Sequence, residues 1–137
     1  MNDSLKDSVK LKLEKTFLKH NVLLAYVFGS KAKAEDNKMS DVDIAVFLDK
    51  EPNLKEELSL RSSVSASLGT EKLDLVTLNN APPFIKHVVA TEGKLIYEKY
   101  KGLSKNFSTK TLAEYEDTKY IRSVYINSFK YRLQYAQ

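Results

Sequence analysis

Alternating helix and strand patterns predict an α/β (α+β) fold, in which helices flank a small mixed β-sheet of about four strands and a long helix follows. Four short runs have the length and the β-branched or aromatic content of strands. The segments around them carry apolar residues at helical spacing. The chain has 137 residues, 42% of them hydrophobic and 29% charged, which fits one globular domain.

The first half of the chain supplies a helix and two strands. Apolar residues recur every fourth position over residues 4–19, which predicts an amphipathic helix that begins at Ser4 (Leu5, Val9, Leu13, Phe17). The run VLLAYVF over residues 22–28 predicts a buried strand that ends at Gly29. The run VDIAVFL over residues 42–48 predicts a second strand.

The next segment alternates again between helix and strand. Asn53 can cap a helix that continues to about Leu68 and ends at Gly69. The alternating run KLDLVTL predicts a third strand over residues 72–78. Pro82 and Pro83 suit the first turn of a helix that runs to Thr91, and residues 94–98 are predicted to form a last short strand.

A tyrosine-rich helix is predicted from about Ser108 onward. One apolar stripe is expected to pack in the core (Ile121, Tyr125, Phe129, Leu133). A second row with Tyr131 and Tyr135 exceeds what one small sheet needs, and it points to a partner. We therefore divide the chain into a core over residues 1–98 and a helical extension of the same domain over residues 99–137.

Composition excludes several classes of protein. Cysteine is absent, which excludes disulfides and thiolate metal sites and makes a reducing cytoplasm the expected compartment. No apolar run approaches the roughly 20 residues of a membrane span. The net charge of +4 lies in the tail, where eight Lys or Arg face three acids from Lys99 onward, so direct nucleic-acid binding is not expected.

The segment GSKAKAEDNKMSDVD carries the candidate chemistry. Gly29 and Ser30 follow a strand directly, where free backbone N–H groups and a hydroxyl can hold phosphate oxygens. Asp41 and Asp43 lie two positions apart at the start of the next strand, so both carboxylates point to one face. Such a pair offers Mg²⁺ the ligands that it takes beside substrate phosphates.

Asp74 is the third candidate carboxylate. It lies between Leu73 and Leu75 in a strand, and it can join the pair if its strand neighbours residues 42–48. Taken alone, Asp74 is more simply interpreted as a residue on an exposed strand face. The pair Asp41 and Asp43 alone is more simply interpreted as exposed acids, and Gly29-Ser30 as a simple turn. Spacing favours a site, because Gly-Ser followed after ten residues by Asp-x-Asp arises by chance in roughly one of several hundred chains this long.

The segment GSKAKAEDNKMSDVDIAVFL resembles the GS-x(10)-DxD signature of the DNA polymerase β-like nucleotidyltransferases. Together with LDLVTLNNAPP and the helical end DTKYIRSVYINSFKYRLQ, it resembles the minimal nucleotidyltransferase (MNT) antitoxins of HEPN/MNT toxin–antitoxin systems. The resemblance implies an Mg²⁺-assisted enzyme of the cytoplasm that transfers AMP from ATP to a tyrosine of a cognate HEPN ribonuclease toxin.

The resemblance also implies residue roles. Asp41, Asp43 and Asp74 are the catalytic and metal-binding carboxylates of a two-metal site, with Asp74 also acting as the base toward the acceptor hydroxyl. The nucleotide-binding residues are the remaining members of the motif (Gly29, Ser30, Lys33, Ser40).

Two departures from the family pattern bear on phosphate binding, and two alternatives stay open. Lys33 and Ala34 stand where the family often has Arg and Gly, and Lys lacks the bidentate fork of Arg. One alternative is an antitoxin that neutralises its toxin by binding alone. The other is a nucleotidyltransferase that modifies a small molecule such as an antibiotic, although few residues follow the last strand to bind such an acceptor.

Overall fold

A computed structural model of the protein describes residues 7–28 and 42–135. The predicted cap at Ser4 and the segment 29–41 lie outside the described residues. The order of elements is α1 (Asp7–Lys19), β1 (Val22–Phe28), β2 (Val42–Leu48), α2 (Leu54–Leu68), β3 (Leu73–Thr77), a 3₁₀ turn (Leu78–Asn80), α3 (Pro83–Glu92), β4 (Lys94–Glu98) and α4 (Leu103–Tyr135). The predicted fold class is confirmed.

The four strands form one mixed sheet in the order β3-β2-β1-β4. β1 pairs antiparallel with both β2 and β4. β2 and β3 are parallel, because α2 carries the chain back between them. The 3₁₀ turn ties the end of β2 to the following segment, since the Asn79 side chain both accepts from Leu48 N and donates to Leu48 O at 2.9 Å.

Helix α2 has local signals at both of its ends. Asn53 and Glu56 form a reciprocal capping box, in which each side chain accepts a hydrogen bond from the other's backbone N–H. Gly69 ends the helix with φ 75°, a left-handed conformation that glycine adopts without a Cβ penalty. The sequence-based bounds of this helix are therefore confirmed.

Each face of the sheet has its own apolar cluster. On one face, α1 and α2 pack on Val27, Ile44 and Val46 (the helix residues are Leu13, Phe17, Leu60 and Val64). On the other face, the 3₁₀ turn, α3 and the first turns of α4 pack on Leu24, Tyr26 and Ala45 (Leu78, Val89, Leu103, Phe107). Alternation along β2 sends successive side chains to opposite clusters, with Ile44 and Val46 on the first face and Ala45 and Phe47 on the second.

Helix α4 begins five residues earlier than predicted, at Leu103. The Glu98 carboxylate accepts a hydrogen bond from Ser104 N at 2.9 Å, which satisfies one of the free N–H groups of the first turn. Gly102, with φ 97°, provides the turn that directs the chain from β4 into the helix. Phe107 then lies against the rings of Tyr26 and Phe47, with both centroids 5.9 Å away.

A stack of three side chains holds α4 against α3. The His87 ring lies parallel to the Tyr115 ring at 3.9 Å, and the Arg122 guanidinium lies 4.0 Å from the Tyr115 centroid. Lys86 and Glu114 add a salt bridge of 3.2 Å. The His87 ring is half-buried in this contact.

The expectation that one stripe of the C-terminal helix packs in the core is wrong. Its four side chains are between 54% and 73% exposed (Ile121, Tyr125, Phe129, Leu133). The physical reason is length: a helix of 33 residues is about 50 Å long and continues beyond the small sheet after its contact with α3. No described helix is long and apolar enough to cross a membrane.

Gly93 is required by close packing between α3 and β1. A Cβ at this position would lie 2.5 Å from Val89 O and 3.3 Å from Tyr26 Cβ. We expect Gly93→Ala to lower the free energy of unfolding by about 1–3 kcal/mol, because the backbone has to shift. Urea unfolding measures this, with Ser59→Ala on the exposed face of α2 as a control within about 0.5 kcal/mol of wild type. An equally small effect of Gly93→Ala would contradict the close contact.

The Glu98 cap makes stability depend on pH. The hydrogen bond from Ser104 N, with further ones from the same turn, lowers the pKa of the Glu98 carboxyl. Because the pKa of Glu98 is lower in the folded than in the unfolded chain, the ionised carboxylate stabilises the fold at pH values above the unfolded pKa. That stabilisation is lost as the pH falls through the folded pKa. We expect Glu98→Gln to be less stable than wild type at pH 7, with the difference vanishing in strong acid. Urea unfolding at pH 7 and in strong acid tests this difference in stability. Glu116→Gln on the exposed side of α4 is the matched control.

Candidate active site

Two of the three predicted carboxylates lie side by side. In the parallel pair of β2 and β3, Asp43 is in register with Asp74. Neighbouring strands are about 4.8 Å apart, and residues in register point to the same face of a sheet. The condition set by the sequence, that the strand of Asp74 neighbours residues 42–48, is therefore met.

Apolar pairs on either side, each with one buried member, hold this register. Val42 N donates to Lys72 O at 3.0 Å just before the two carboxylates, and Val42 pairs with Leu73. Ile44, which is fully buried, pairs with Leu75 immediately after them. A slip by one residue would turn these apolar side chains to the opposite face, so the core fixes the position of the acids.

The carboxylates differ in their surroundings. Asp74 is exposed and lies on the edge strand, whereas Asp43 is half-buried between β1 and β3 and takes part in a further interaction. Phe28 is the β1 partner of Asp43, and it packs on the cluster beneath α3 and α4. The pair thus has an apolar neighbour on one side and solvent on the other, an arrangement open to a substrate.

Helix α4 covers the other end of the same sheet face. Phe107 contacts Phe47, which follows Asp43 by four residues, or about 13 Å along the strand. The helix therefore leaves the end of the sheet that carries the carboxylates uncovered by this contact. This aromatic layer was not predicted from the sequence, although Tyr26, Phe28 and Phe47 are spaced to lie on one face of β1 and β2.

Tyr26 lies in the same layer and is not a catalytic candidate. Its hydroxyl is buried and has no hydrogen-bond partner among the described residues. Burial, and after it the charge of Glu98, raises the pKa of Tyr26 to about 12. The phenol stays protonated at neutral pH and serves packing against Phe107.

The other predicted site residues lie outside the described residues (Gly29, Ser30, Lys33, Ser40, Asp41). Within the described ranges, no group of three His, Cys, Asp or Glu side chains could hold a metal ion. The two carboxylates in register fit a hard cation such as Mg²⁺, which takes one or two protein carboxylates and fills its other positions with water and phosphate.

Two surface clefts are lined by residues other than the paired carboxylates. One of about 580 Å³ is lined by the second half of α2 and the turn after it, including Arg61 and Thr70. One of about 340 Å³ lies at the end of β2 and includes His20 and Asp49. His20 donates to or accepts from Ser63 Oγ at 3.1 Å, and burial, then the charge of Lys19, lowers its pKa. Neither Asp43 nor Asp74 lines either of these clefts.

Known proteins share this sequence pattern and this fold. A candidate protein adenylyltransferase of Methanocaldococcus jannaschii is 33% identical over 86 residues, which are 63% of this chain and 91% of that protein. The protein adenylyltransferase MntA of Aphanizomenon flos-aquae is 29% identical over 139 aligned positions, covering 93% of this chain and 88% of that protein.

Solved structures agree with the fold. A chain of a toxin–antitoxin crystal structure with AMP-PNP superimposes with a TM-score of 0.76 at 24% identity, covering 88% of this chain and 98% of that chain. A structure of the tri-AMPylated Shewanella oneidensis HEPN toxin in complex with MNT antitoxin gives a TM-score of 0.71 at 23% identity, covering 89% and 96%.

The sequence model of the polymerase beta nucleotidyltransferase family matches residues 11–102 of this chain. These residues include Asp43, Asp74 and all four strands of the sheet. The resemblance drawn from the sequence and the expected enzyme class are thus confirmed. The chain belongs to the polymerase beta nucleotidyltransferase family.

Proposed function

We propose that this protein is an antitoxin that transfers AMP from ATP to a tyrosine of a cognate HEPN ribonuclease toxin. The observation that carries the proposal is the register of Asp43 with Asp74 at one end of the sheet. It is supported by relatives named as protein adenylyltransferases and by the similar fold of toxin–antitoxin structures, one with AMP-PNP and one with a tri-AMPylated HEPN toxin.

The three carboxylates would hold Mg²⁺, with Asp41 joining the described pair from two positions before Asp43. Magnesium bound there supplies positive charge for the phosphates and orients the reacting groups. The fit rests on the donor set: two carboxylates on adjacent parallel strands at one sheet end. A two-metal arrangement is part of this proposal.

Residues of the Gly-Ser motif would bind the nucleotide. The Ser30 hydroxyl and the Gly29 backbone N–H hold the β- and γ-phosphate oxygens, and Lys33 and Ser40 add contacts to the nucleotide. Lys33 contributes a point charge, because it lacks the two parallel donors of Arg. Most of the catalytic effect in such transfers comes from positioning and charge stabilisation.

The proposed reaction is a simple displacement at the α-phosphorus. Asp74, the exposed member of the pair, accepts the proton of the acceptor tyrosine hydroxyl. The phenolic oxygen forms a bond to the α-phosphorus, the bond to the bridging oxygen breaks, and pyrophosphate leaves. The products are tyrosine-linked AMP and pyrophosphate.

The tail has a separate proposed role. Residues 1–98 carry the sheet and the candidate site, whereas residues 99–137 contribute the helix α4 and a net charge of about +5. We assign this extension to docking of the toxin, not to nucleic acid. The absence of cysteine and the need for ATP make the cytoplasm the proposed location.

Transfer of AMP is expected to need the aspartates. Incubation of the purified protein with Mg²⁺, ATP and its cognate HEPN protein should add the mass of AMP to one HEPN tyrosine peptide, as measured by mass spectrometry. Changing Asp41 and Asp43 together to Ala should lower the rate at least a hundredfold, because charge stabilisation of the phosphates is lost. Circular dichroism should show an unchanged fold, and Glu71→Gln is the matched control for loss of an acid.

The outcome also separates the two kinds of antitoxin. If the HEPN protein gains no mass while the double variant still neutralises it in cells, binding alone is the mechanism and the transferase proposal fails. If a small molecule is modified in place of the protein, the antibiotic-modifying alternative replaces it.

Repulsion between Asp43 and Asp74 gives a prediction that does not depend on the acceptor. Like charges directly opposite on neighbouring strands destabilise a sheet by about 0.2–1 kcal/mol. We expect Asp74→Asn to raise the free energy of unfolding by that amount without metal. Millimolar Mg²⁺ with a non-hydrolysable ATP analogue should raise the melting temperature of wild type and not of Asp74→Asn. An equal shift in both proteins would exclude Asp74 from the metal site, and Glu71→Gln is again the control.

A further inference from the structure

The second half of α4 exposes more apolar surface than a surface helix normally does. We define the arm as residues 119–134. Eight of its large side chains are between 43% and 75% exposed (Tyr120, Ile121, Val124, Tyr125, Ile126, Phe129, Tyr131, Leu133). A contiguous apolar surface of this kind marks an interaction site on a folded protein.

The apolar side chains are spread around most of the arm. At about 100° per residue, they occupy an arc of about 240°, and the remaining side is polar (Lys119, Ser123, Asn127, Lys130, Gln134). A helix that lies on a single surface needs an apolar stripe only somewhat wider than about 100°. One flat contact would therefore leave roughly half of this apolar surface in water.

Two rows of the arm point in nearly opposite directions. Row one consists of Tyr120, Val124 and Tyr131, and row two consists of Tyr125, Phe129 and Leu133. Their mean directions differ by about 160° around the helix axis. Both rows are exposed in the isolated chain, so both need cover from outside it.

The charge of the arm selects among the molecules that could cover it. The arm carries four basic residues and no acid (Lys119, Arg122, Lys130, Arg132). Pairing with the arm of a second copy would bring eight positive charges together and would still cover only one row of each. A groove with acidic residues at its rim matches both the charge and the width of the apolar arc.

We propose that the arm inserts into an apolar groove of the toxin, which contacts it from both sides and lines its rim with acidic side chains. This inference rests on the proposed antitoxin function and deepens it, because it states how the partner is held. The stack of His87, Tyr115 and Arg122 lies at the base of the arm and fixes the direction in which it leaves the body. Helix-in-groove recognition of this kind uses anchors at helical spacing.

Three matched variants test the groove. Val124→Glu lies in row one, Phe129→Glu lies in row two, and Asn127→Glu lies on the polar side; all three positions are exposed and gain the same charge. Binding of the HEPN protein, measured by calorimetry, should weaken at least tenfold for each of the first two variants and less than threefold for Asn127→Glu. Loss from one row only, or from neither, would overturn the proposal.

The acidic rim has its own test. Changing Lys119 and Lys130 to Gln should slow association with the HEPN protein at least threefold at low salt, with little change in the dissociation rate. An association rate unaffected by this change and by added salt would exclude an acidic rim.

Other occupants and a failure of the enzymatic proposal give distinct results. A concentration-dependent dimer of the isolated chain that Val124→Glu abolishes would assign the arm to a second copy and overturn the groove. Binding to vesicles of phosphatidylserine and phosphatidylcholine that both row variants abolish would assign it to a membrane surface, with the same consequence. Tight binding of the HEPN protein without AMP transfer would refute the transferase proposal and leave the groove proposal standing. AMP transfer together with unimpaired binding of both row variants would refute the groove proposal and leave the transferase proposal standing.

Discussion

Repulsion between two carboxylates is the constraint on which the candidate site depends. Asp43 and Asp74 occupy facing positions on parallel strands, where their charges oppose each other. The buried neighbours in the same strands, Ile44 and Leu73, keep the acids together, because any slip in register exposes the apolar side chains. Core packing thus supplies the free energy that holds an unfavourable charge pair in place.

The two faces of the sheet divide the tasks of stability and chemistry. The face beneath α1 and α2 is apolar along the whole described length of β2, through Ile44, Val46 and Leu48. The opposite face is mixed, with Asp43 at one end and Ala45 and Phe47 beneath α3 and α4. A small sheet can carry a polar site in this way, because the first face and half of the second suffice for burial.

Much of this organisation follows from local patterns in the sequence. Strand bounds came from apolar runs and turn residues, and the bounds of α2 came from Asn53 and Gly69, since each signal acts within a few residues. The neighbouring position of Asp74 could be stated only as a condition, because strand order is a property of the whole sheet. The metal set could not be completed from the described residues, which leaves Asp41 as a prediction.

The errors concern the C-terminal helix, where periodicity alone is ambiguous. A regular apolar stripe shows that a helix has a preferred face, but it does not say whether the cover comes from the same chain. The expected core stripe with Tyr125 and Phe129 is exposed, since α4 is longer than the sheet that it packs on. The early start at Leu103 depends on Glu98, whose carboxylate reaches Ser104 N from the end of β4.

The arm and the carboxylates lie on different elements, so the proposed recognition and the proposed reaction use different parts of the chain. Phe107 anchors α4 near Phe47, about 13 Å along the strand from Asp43, and the arm begins about 18 Å further along the helix. A partner held by the arm must therefore bring its own acceptor to the site. Binding free energy from such a remote contact can position the acceptor hydroxyl for reaction without touching the phosphates. In the proposed function the arm and the partner together would orient the acceptor, so the small core would need no acceptor pocket of its own.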